Sequence, residues 1–554
     1  MKRLLLTVGL FAASAACRGA DDVALPQDLL QALPVSLAHA GPAVSPGGLG
    51  TEGASGPARF VPALHARFDR DHAMGTVAFV DERSRDAGSE GHEAVLDRLV
   101  ADLYAAGYGA EPGFTLDVLR DGLSHPAWTP ISAVLEFVKV DANGAPIQAI
   151  GVQSFDGQAA RERALLPAHA PGCDVTARVA DGLEALTEPG LILLTQAPAA
   201  AVIAEATRRG AVAVISYHSG APVESSLPRP AAEAVALARV APGTTLPCFQ
   251  VSPRIADAIR NTARVDGRLR MRAVVRFVER PVRTLVATID GSDSAAEVVH
   301  IVAPTDGAAA SEGAAPVGAL LEGALLLKRL IDERVVPRPR RSLSLVFGVT
   351  GRPSALAATA RSPVAAIALD GLGADPGRTG ASPLLARGAD PTTSETKPRE
   401  VAAHGLAVIV REALIDVAQH ELAGAAGEAW ATTEDSSAPG GVGPYAGRDI
   451  AACRLALVGS NVRGTHLDRA DRLDADALRR SAVAALAAAL AVADASPLDL
   501  ERHLDSLNLE RQLRLDEAVR TLPEGPELEA RIAAWKARCD GARHWLRQLC
   551  LGAP

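Results

Sequence analysis

A chain of 554 residues with 48% hydrophobic, 22% charged and only 3% aromatic side chains is long enough for two or three globular domains and a large core, and its composition excludes a disordered polymer. A formal net charge of −9, with no basic stripe interleaved with aromatics, excludes a surface built for phosphate backbones, so nucleic acid is not an expected partner.

The first residues have the pattern of an export signal: Lys2 and Arg3, an apolar run from Leu4 to Ala13, then Ser14-Ala15-Ala16-Cys17. The run is too short for a spanning helix, and no later stretch is long and apolar enough for one. The mature protein is therefore expected outside the cytoplasm. Small residues ahead of Cys17 predict a lipoprotein whose Cys17 carries the lipid, although Ser14 stands where Leu is usual; plain secretion after Ala16 is the alternative. Contact with a membrane is expected only through such an anchor. Of the 6 cysteines, those after Cys17 sit in an oxidising compartment. Cys173 with Cys248 and Cys539 with Cys550 are plausible pairs that leave Cys453 free, but spacing does not decide connectivity.

Residues 18–60 are rich in Pro, Gly, Ala and Ser without periodicity and read as a flexible tether. "HEAVLDRLVADLYAAGYG" carries apolar residues at helical spacing and stops at a glycine, predicting an amphipathic helix in a first segment, 61–150, and "ISAVLEFVKV" predicts a strand. From 151 to 280 a small domain is expected, with one clear β-α-β unit: "GLILLTQ", then "APAAAVIAEATRRGA", then "VAVISYH". From 281 to 496, "TLVATIDG", "EVVHIVAP", "SLSLVFGV", "VAAIALDG" and "CRLALVGS" are apolar strands separated by helical or loop stretches, the last followed by the Ala-rich helix "DADALRRSAVAALAAALAVADA". That alternation predicts an α/β fold with a largely parallel mixed sheet, helices on both faces and a ligand crevice at the carboxyl ends of the strands. Residues 497–554 read as an Arg- and Glu-rich helical extension, with Trp535 and Trp545, packing on the outside.

This order of segments, over roughly residues 75–495, resembles the co-catalytic di-zinc aminopeptidases, whose relatives include glutamate carboxypeptidase II and the transferrin receptor. "RRGAVAVISYHSG" and "LPCFQVSPRIADAI" resemble the core of the protease-associated (PA) domain inserted in many of them, and "DERSRDAGSEGHEAV" resembles the family's Arg-Xaa-Xaa-Gly-Ser-Xaa-Gly turn and opening helix. The resemblance implies a His-Xaa-Asp loop after the second sheet strand, where the His binds zinc; this chain has Pro304-Thr305-Asp306, keeping only the orienting acid Asp306. It implies a bridging Asp at the start of the next helix, where Glu312 stands, and a Glu-Glu pair of general base and ligand at the end of the next strand, where Thr350 and Gly351 stand. Asp370 matches the ligand Asp of the next strand, and His466 in "GTHLDRADRLDADAL" is the candidate for the last ligand, with spacing that departs from the usual pattern.

A catalytic zinc takes about three protein N or O ligands and one open position. Glu312, Asp370 and His466 are too few for two metals. Loss of the general base costs on the order of 10²–10⁴ in rate. His300 does not replace Pro304, since four residues of strand at ~3.3 Å each separate them. The expectation is an exported pseudopeptidase that binds a protein or peptide. The alternative is an active metallopeptidase with a reduced zinc site at Glu312, Asp370 and His466, and the plain reading of these residues is polar groups at strand ends and in a loop. A third possibility is an assembly role through the PA-like domain and C-terminal tail. Ser216 and His218 read as loop polarity and Cys453 as a buried thiol.

Overall fold

The computed structural model describes residues 53–140, 146–156, 165–220, 225–263, 267–352, 361–386, 404–424, 433–435 and 443–552. The expected export signal, Cys17 and most of the tether lie outside them, as do parts of the Gly/Pro/Ser-rich loops at 373–399 and 425–447. In chain order the longer helices are α1 (Val61–Arg67), α2 (Arg70–Asp81), α3 (Glu90–Ala105), α4 (Ala199–Arg208), α5 (Pro253–Ala263), α6 (Ala315–Asp332), α7 (Leu406–Gly424), α8 (Ala475–Ala493), α9 (Pro497–Thr521) and α10 (Pro526–Leu551). The strands are β1 (Phe114–Asp121), β2 (Ala127–Val140), β3 (Pro146–Asp156), β4 (Cys173–Ala177), β5 (Val179–Asp181), β6 (Ile192–Thr195), β7 (Ala213–Ser216), β8 (Cys248–Gln250), β9 (Arg268–Val278), β10 (Val282–Ile289), β11 (Ser294–Pro304), β12 (Arg341–Gly348), β13 (Ser362–Leu369), β14 (Ser382–Ala386), β15 (Thr433–Asp435) and β16 (Ala451–Val458). Among the described residues no helix is long and apolar enough to cross a membrane.

Helix starts are set locally. Asp69 accepts the His72 N–H at 2.9 Å to open α2, Ser89 accepts the His92 N–H at 3.1 Å to open α3, and Asp474 accepts the Ala477 N–H at 2.7 Å to open α8. Each satisfies a first-turn donor that has no partner within its helix.

Eight strands form a mixed central sheet in the order β1-β10-β12-β11-β13-β16-β14-β15. The middle four, β12, β11, β13 and β16, run parallel, while β10 and β14 join antiparallel. Every residue of β12 and all but the last of β16 are buried, as expected of strands covered on both faces. One continuous core joins the sheet to α2, α6, α7 and α8 through Val77, Leu320, Leu345, Ile367, Val410 and Leu486. Helix α8 is buried from Ser481 to Ala493 without interruption; its small side chains let neighbouring elements cover it all round. The chain leaves β11 for β12 on one side and reaches β13 on the other, so the crevice opens beyond Pro304, Gly348 and Leu369, at the carboxyl ends of the strands.

Between β1 and β10 the chain builds two further sheets, antiparallel β3-β2-β9-β4 and parallel β5-β6-β7-β8. They enclose a core around Trp128, Leu135, Ile192, Phe249 and Met271. Helix α4 covers the other face of the parallel sheet, with Val202 and Ala206 against Leu193 and Val214. The expected β-α-β unit is β6-α4-β7. Gly210 follows α4 at φ +79°, a conformation glycine takes without strain. The sequence-based boundary at 150/151 falls inside β3. The sheets divide between Asp121 and Ala127, because β2 pairs with β3 and β9 and not with the central sheet.

The C-terminal extension is a helical hairpin. Asp499 and Ser496 form a capping box that starts α9 behind Pro497. From α9, Arg502 reaches Asp416 at 2.6 Å and His503 reaches Glu412 at 2.8 Å, while Arg411 on α7 reaches Glu510 at 2.9 Å. Burial pushes the Asp416 carboxyl up to about 6 despite the opposing pull of Arg502. Helix α10 places Cys539, Leu546, Leu549 and Cys550 in the main core, so the extension covers apolar surface and is more than an outer appendage.

Among the described residues no disulfide links the five cysteines after Cys17. Cys539 and Cys550 share helix α10 and lie about 16 Å apart along its axis at ~1.5 Å per residue, beyond the ~7 Å Cα separation a disulfide tolerates. Helix geometry thus excludes that pair. Burial pushes the Cys173 and Cys248 thiols up to about 11 and about 12, and Cys453 is fully buried in β16.

Candidate functional site

The crevice is assembled from the loops after β11, β12 and β13. Asp306 Oδ1 accepts hydrogen bonds from both the backbone N–H and the hydroxyl of Thr350, each at 2.9 Å. The acid that was expected to orient a ligand histidine therefore ties one crevice loop to the next. Pro304 closes β11 without a donor atom in its side chain, and Gly351 makes a turn at φ +74°.

Glu312 sits in a π-helical turn, Ala310–Ala314, that leads into α6. Its Oε1 accepts from Arg463 Nε at 2.8 Å. Asp370, one residue past β13, accepts from Arg454 Nη1 of the neighbouring β16 at 2.8 Å. His466 belongs to a backbone seam: its N–H donates to Val235 O at 2.9 Å, its Nδ1 accepts the Val235 N–H at 3.2 Å, and Leu237 N–H donates to Gly464 O at 2.9 Å. That seam laces the inserted sheets to the central domain.

These residues lie in two cavities. Asp306, Glu312 and His466 line one of about 350 Å³, whereas Pro304, Thr350, Gly351 and Asp370 line another of about 30 Å³, beside Tyr445. Among the described residues, no three His, Cys, Asp or Glu side chains gather where one ion could be held. The expected set of Glu312, Asp370 and His466 is thus not brought together, and it does not fit zinc. Each carboxylate turns to its own arginine and the imidazole turns to the insert. His300, buried inside the sheet, bonds the Tyr445 hydroxyl through Nδ1 at 3.0 Å, and burial pushes its pKa down to about 4.

The larger cavity is walled by residues that sequence reasoning did not single out. From the central domain come Arg85, Asp86 and Asp468, and from the insert Trp128, Leu237 and Arg239. Arg239 reaches Asp86 at 3.0 Å across the junction, and burial pushes the Asp86 carboxyl up to about 6 while Arg239 pulls it down. Asp468 is 2% exposed and accepts from the Ser311 N–H at 3.0 Å and its hydroxyl at 2.6 Å. Burial still pushes its carboxyl up to about 7. Arg85 is also 2% exposed, and desolvation pushes its guanidinium down to about 10. It is the arginine of the Arg-Xaa-Xaa-Gly-Ser-Xaa-Gly turn, and that pattern is the one signal that could have drawn attention to it. Charges of both signs beside an indole suit the cavity to hold a ligand by charge and shape.

No protein-family model matches the chain, and no curated protein matches it. Solved structures similar to it include a peptidase M28 precursor from Shewanella amazonensis, with TM-score 0.49 and 16% identity over 78% of this chain and 96% of that one. A putative peptidase from Clostridium acetobutylicum gives TM-score 0.49 and 8% identity over 79% of this chain and 83% of that one. A zinc aminopeptidase from Bacillus subtilis gives TM-score 0.47 and 13% identity over 76% of this chain and 94% of that one. By its own topology the chain is an α/β protein with a central mixed sheet and a two-sheet insertion between β1 and β10.

Proposed function

We propose that this protein is an exported, zinc-aminopeptidase-like protein with a PA-like insertion, that it has lost catalysis, and that it acts by binding a protein or peptide between the central domain and the insert. The observation that carries the reading is that both acids in family ligand positions are held by arginines: Arg463 on Glu312 and Arg454 on Asp370, each at 2.8 Å. A guanidinium donates to a carboxylate from the side a cation would approach, and it brings the positive charge the carboxylate needs. The base position supports the same reading, because Thr350 donates to Asp306 and has no carboxylate with which to take a proton from water. The residues that remain would give a divalent ion fewer ligands than the roughly three that a catalytic zinc requires.

The test is zinc content of the purified mature protein after dialysis without chelator, alongside hydrolysis of a panel of aminoacyl substrates. The expected result is less than about 0.1 zinc per chain and no chelator-sensitive turnover, against the near-unit stoichiometry of a closed zinc site. Near-stoichiometric zinc, lost together with activity in Asp370→Ala, would overturn the proposal. Export and lipid attachment at Cys17 are checked separately, by labelling cells with a radioactive fatty acid and comparing Cys17→Ser.

A further inference from the structure

We propose that the larger cavity is a carboxylate-binding site anchored by the buried guanidinium of Arg85, an inference that rests on the binding reading above and names the chemistry of the ligand. Arg85 lines the cavity, and of its side-chain nitrogens Nη2 donates to Ala309 O at 3.2 Å. Its Nε and Nη1 have no hydrogen-bond partner. A guanidinium presents five N–H donors in a planar fork and cannot shed its charge under ordinary conditions. Leaving such donors buried without acceptors is unfavourable.

Each of the cavity's own acids already accepts from a neighbour other than Arg85. Asp468 takes both donors of Ser311, Asp306 takes both of Thr350, Asp86 takes Arg239 and Glu312 takes Arg463. Asp81, whose charge acts on Arg85 but which does not line the cavity, takes Arg469 at 2.8 Å and the Ala470 N–H at 3.0 Å, both through Oδ2. An acceptor-rich anion in the cavity would supply what the wall does not, and a carboxylate matches the fork geometry. The backbone makes room for this arrangement. A Cβ at Gly313 would fall 2.7 Å from Arg85 Nη1 and 2.6 Å from Gly307 O, so a larger residue there would displace the guanidinium. Trp128 and Leu237 from the insert offer apolar wall, and about 350 Å³ admits a small molecule or the end of a chain. The ligand is therefore a carboxylate joined to a compact apolar body, either a small free acid or the acid end of a peptide.

The test is titration calorimetry on the full chain with N-acetylleucine, its amide, and the peptide acetyl-Ala-Ala-Leu carrying a free carboxylate. Both acids are expected to bind, and the amide at least about tenfold more weakly, as loss of a charged hydrogen bond implies. Tighter binding of the peptide would assign the ligand to a chain end, and equal binding to a small acid; either supports the site. Arg85→Met is expected to lose at least about tenfold in affinity. Because Arg85 lies within the fold, Ala308→Trp on the exposed rim of the cavity provides a second variant, with the same expected loss and an unchanged melting temperature. The proposal is overturned by any of three results: no binding of either acid up to about 10 mM, equal binding of acid and amide, or wild-type affinity in both variants. Zinc content and turnover are read separately. Stoichiometric zinc with hydrolysis would sink the non-catalytic reading while leaving this site standing, whereas absent binding without zinc would sink this site alone.

Discussion

The two cavities beyond the central sheet differ in size and in how their charged groups are paired. The smaller, about 30 Å³, lies at the carboxyl ends of the parallel strands, and its acid Asp370 is held by Arg454. The larger, about 350 Å³, lies at the junction with the insert and contains a buried cation with unused donors. In the smaller cavity the acid is closed off by an internal ion pair, whereas the larger cavity, walled by both the central domain and the insert, keeps its volume. Backbone pairing between 235–237 and 464–466 holds that second wall in place.

The largest expected effect separates the walls. Phe249 is fully buried in the core of the insert, and Phe249→Ala should cost about 3–5 kcal/mol by leaving a void. Denaturant unfolding followed by the tryptophans would measure it. Binding in the larger cavity should fall with it, while the central domain should keep its own transition; a single unchanged transition would break the division between the two regions.

Next comes the smaller cavity. Arg454 is 10% exposed at its side chain, and Asp370→Ala should destabilise by about 1–3 kcal/mol by leaving that guanidinium without its carboxylate. A vacant metal-ligand acid would behave oppositely, since removing an unpaired carboxylate relieves repulsion. Stability gained in Asp370→Ala would therefore contradict the pairing described here.

A pH experiment sharpens the larger cavity. Asp468 is raised from 3.8 to about 7 by burial, so the folded state holds its proton more tightly than the unfolded state. Its contribution is fully favourable below about pH 3.8, is lost progressively as pH rises toward 7, and is level above that. Asp468→Asn removes this dependence. Its stability relative to wild type should improve by about 2.5 kcal/mol between pH 5 and pH 8, read from urea midpoints at each pH; a pH-independent difference would show that the carboxyl is not desolvated. The smallest effect is expected at the rim. The side chains of Glu312 and Arg463 are 31% and 44% exposed, so Glu312→Gln should change stability by about 0–1 kcal/mol.

Much of the fold was legible because the strands of a sheet covered on both faces must be continuously apolar. The stretches that became β10, β11, β12, β13 and β16 were all identified from that property, as were β6-α4-β7 from the switch between strand and helix periods and α8 from its alanines. The assignment of β2 and β3 was not legible, since a strand's pattern records that it is half-buried and not which sheet it joins. At the site, the departure of Pro304, Thr350 and Gly351 from the pattern that the resemblance implies could be read directly, because those side chains carry no carboxylate or imidazole. The fates of Glu312, Asp370 and His466 could not be read. Their partners, Arg463, Arg454 and the Val235 backbone, come from separate elements, and the last from a different body. Arg85 was hidden for the same reason: an arginine in a turn is ordinarily solvated, and only its enclosure by residues 309–313 and 468–469 removes it from water.

By itself the sequence determined the order of elements, the α/β class and the absence of carboxylate or imidazole side chains at Pro304, Thr350 and Gly351, because these depend on local periodicity and side-chain identity. The tertiary structure decided which charges meet, which acid burial pushes up toward neutral pH and which cation has donors without acceptors. Those outcomes depend on desolvation and on distances between residues far apart in the chain, and neither quantity is written in any one segment.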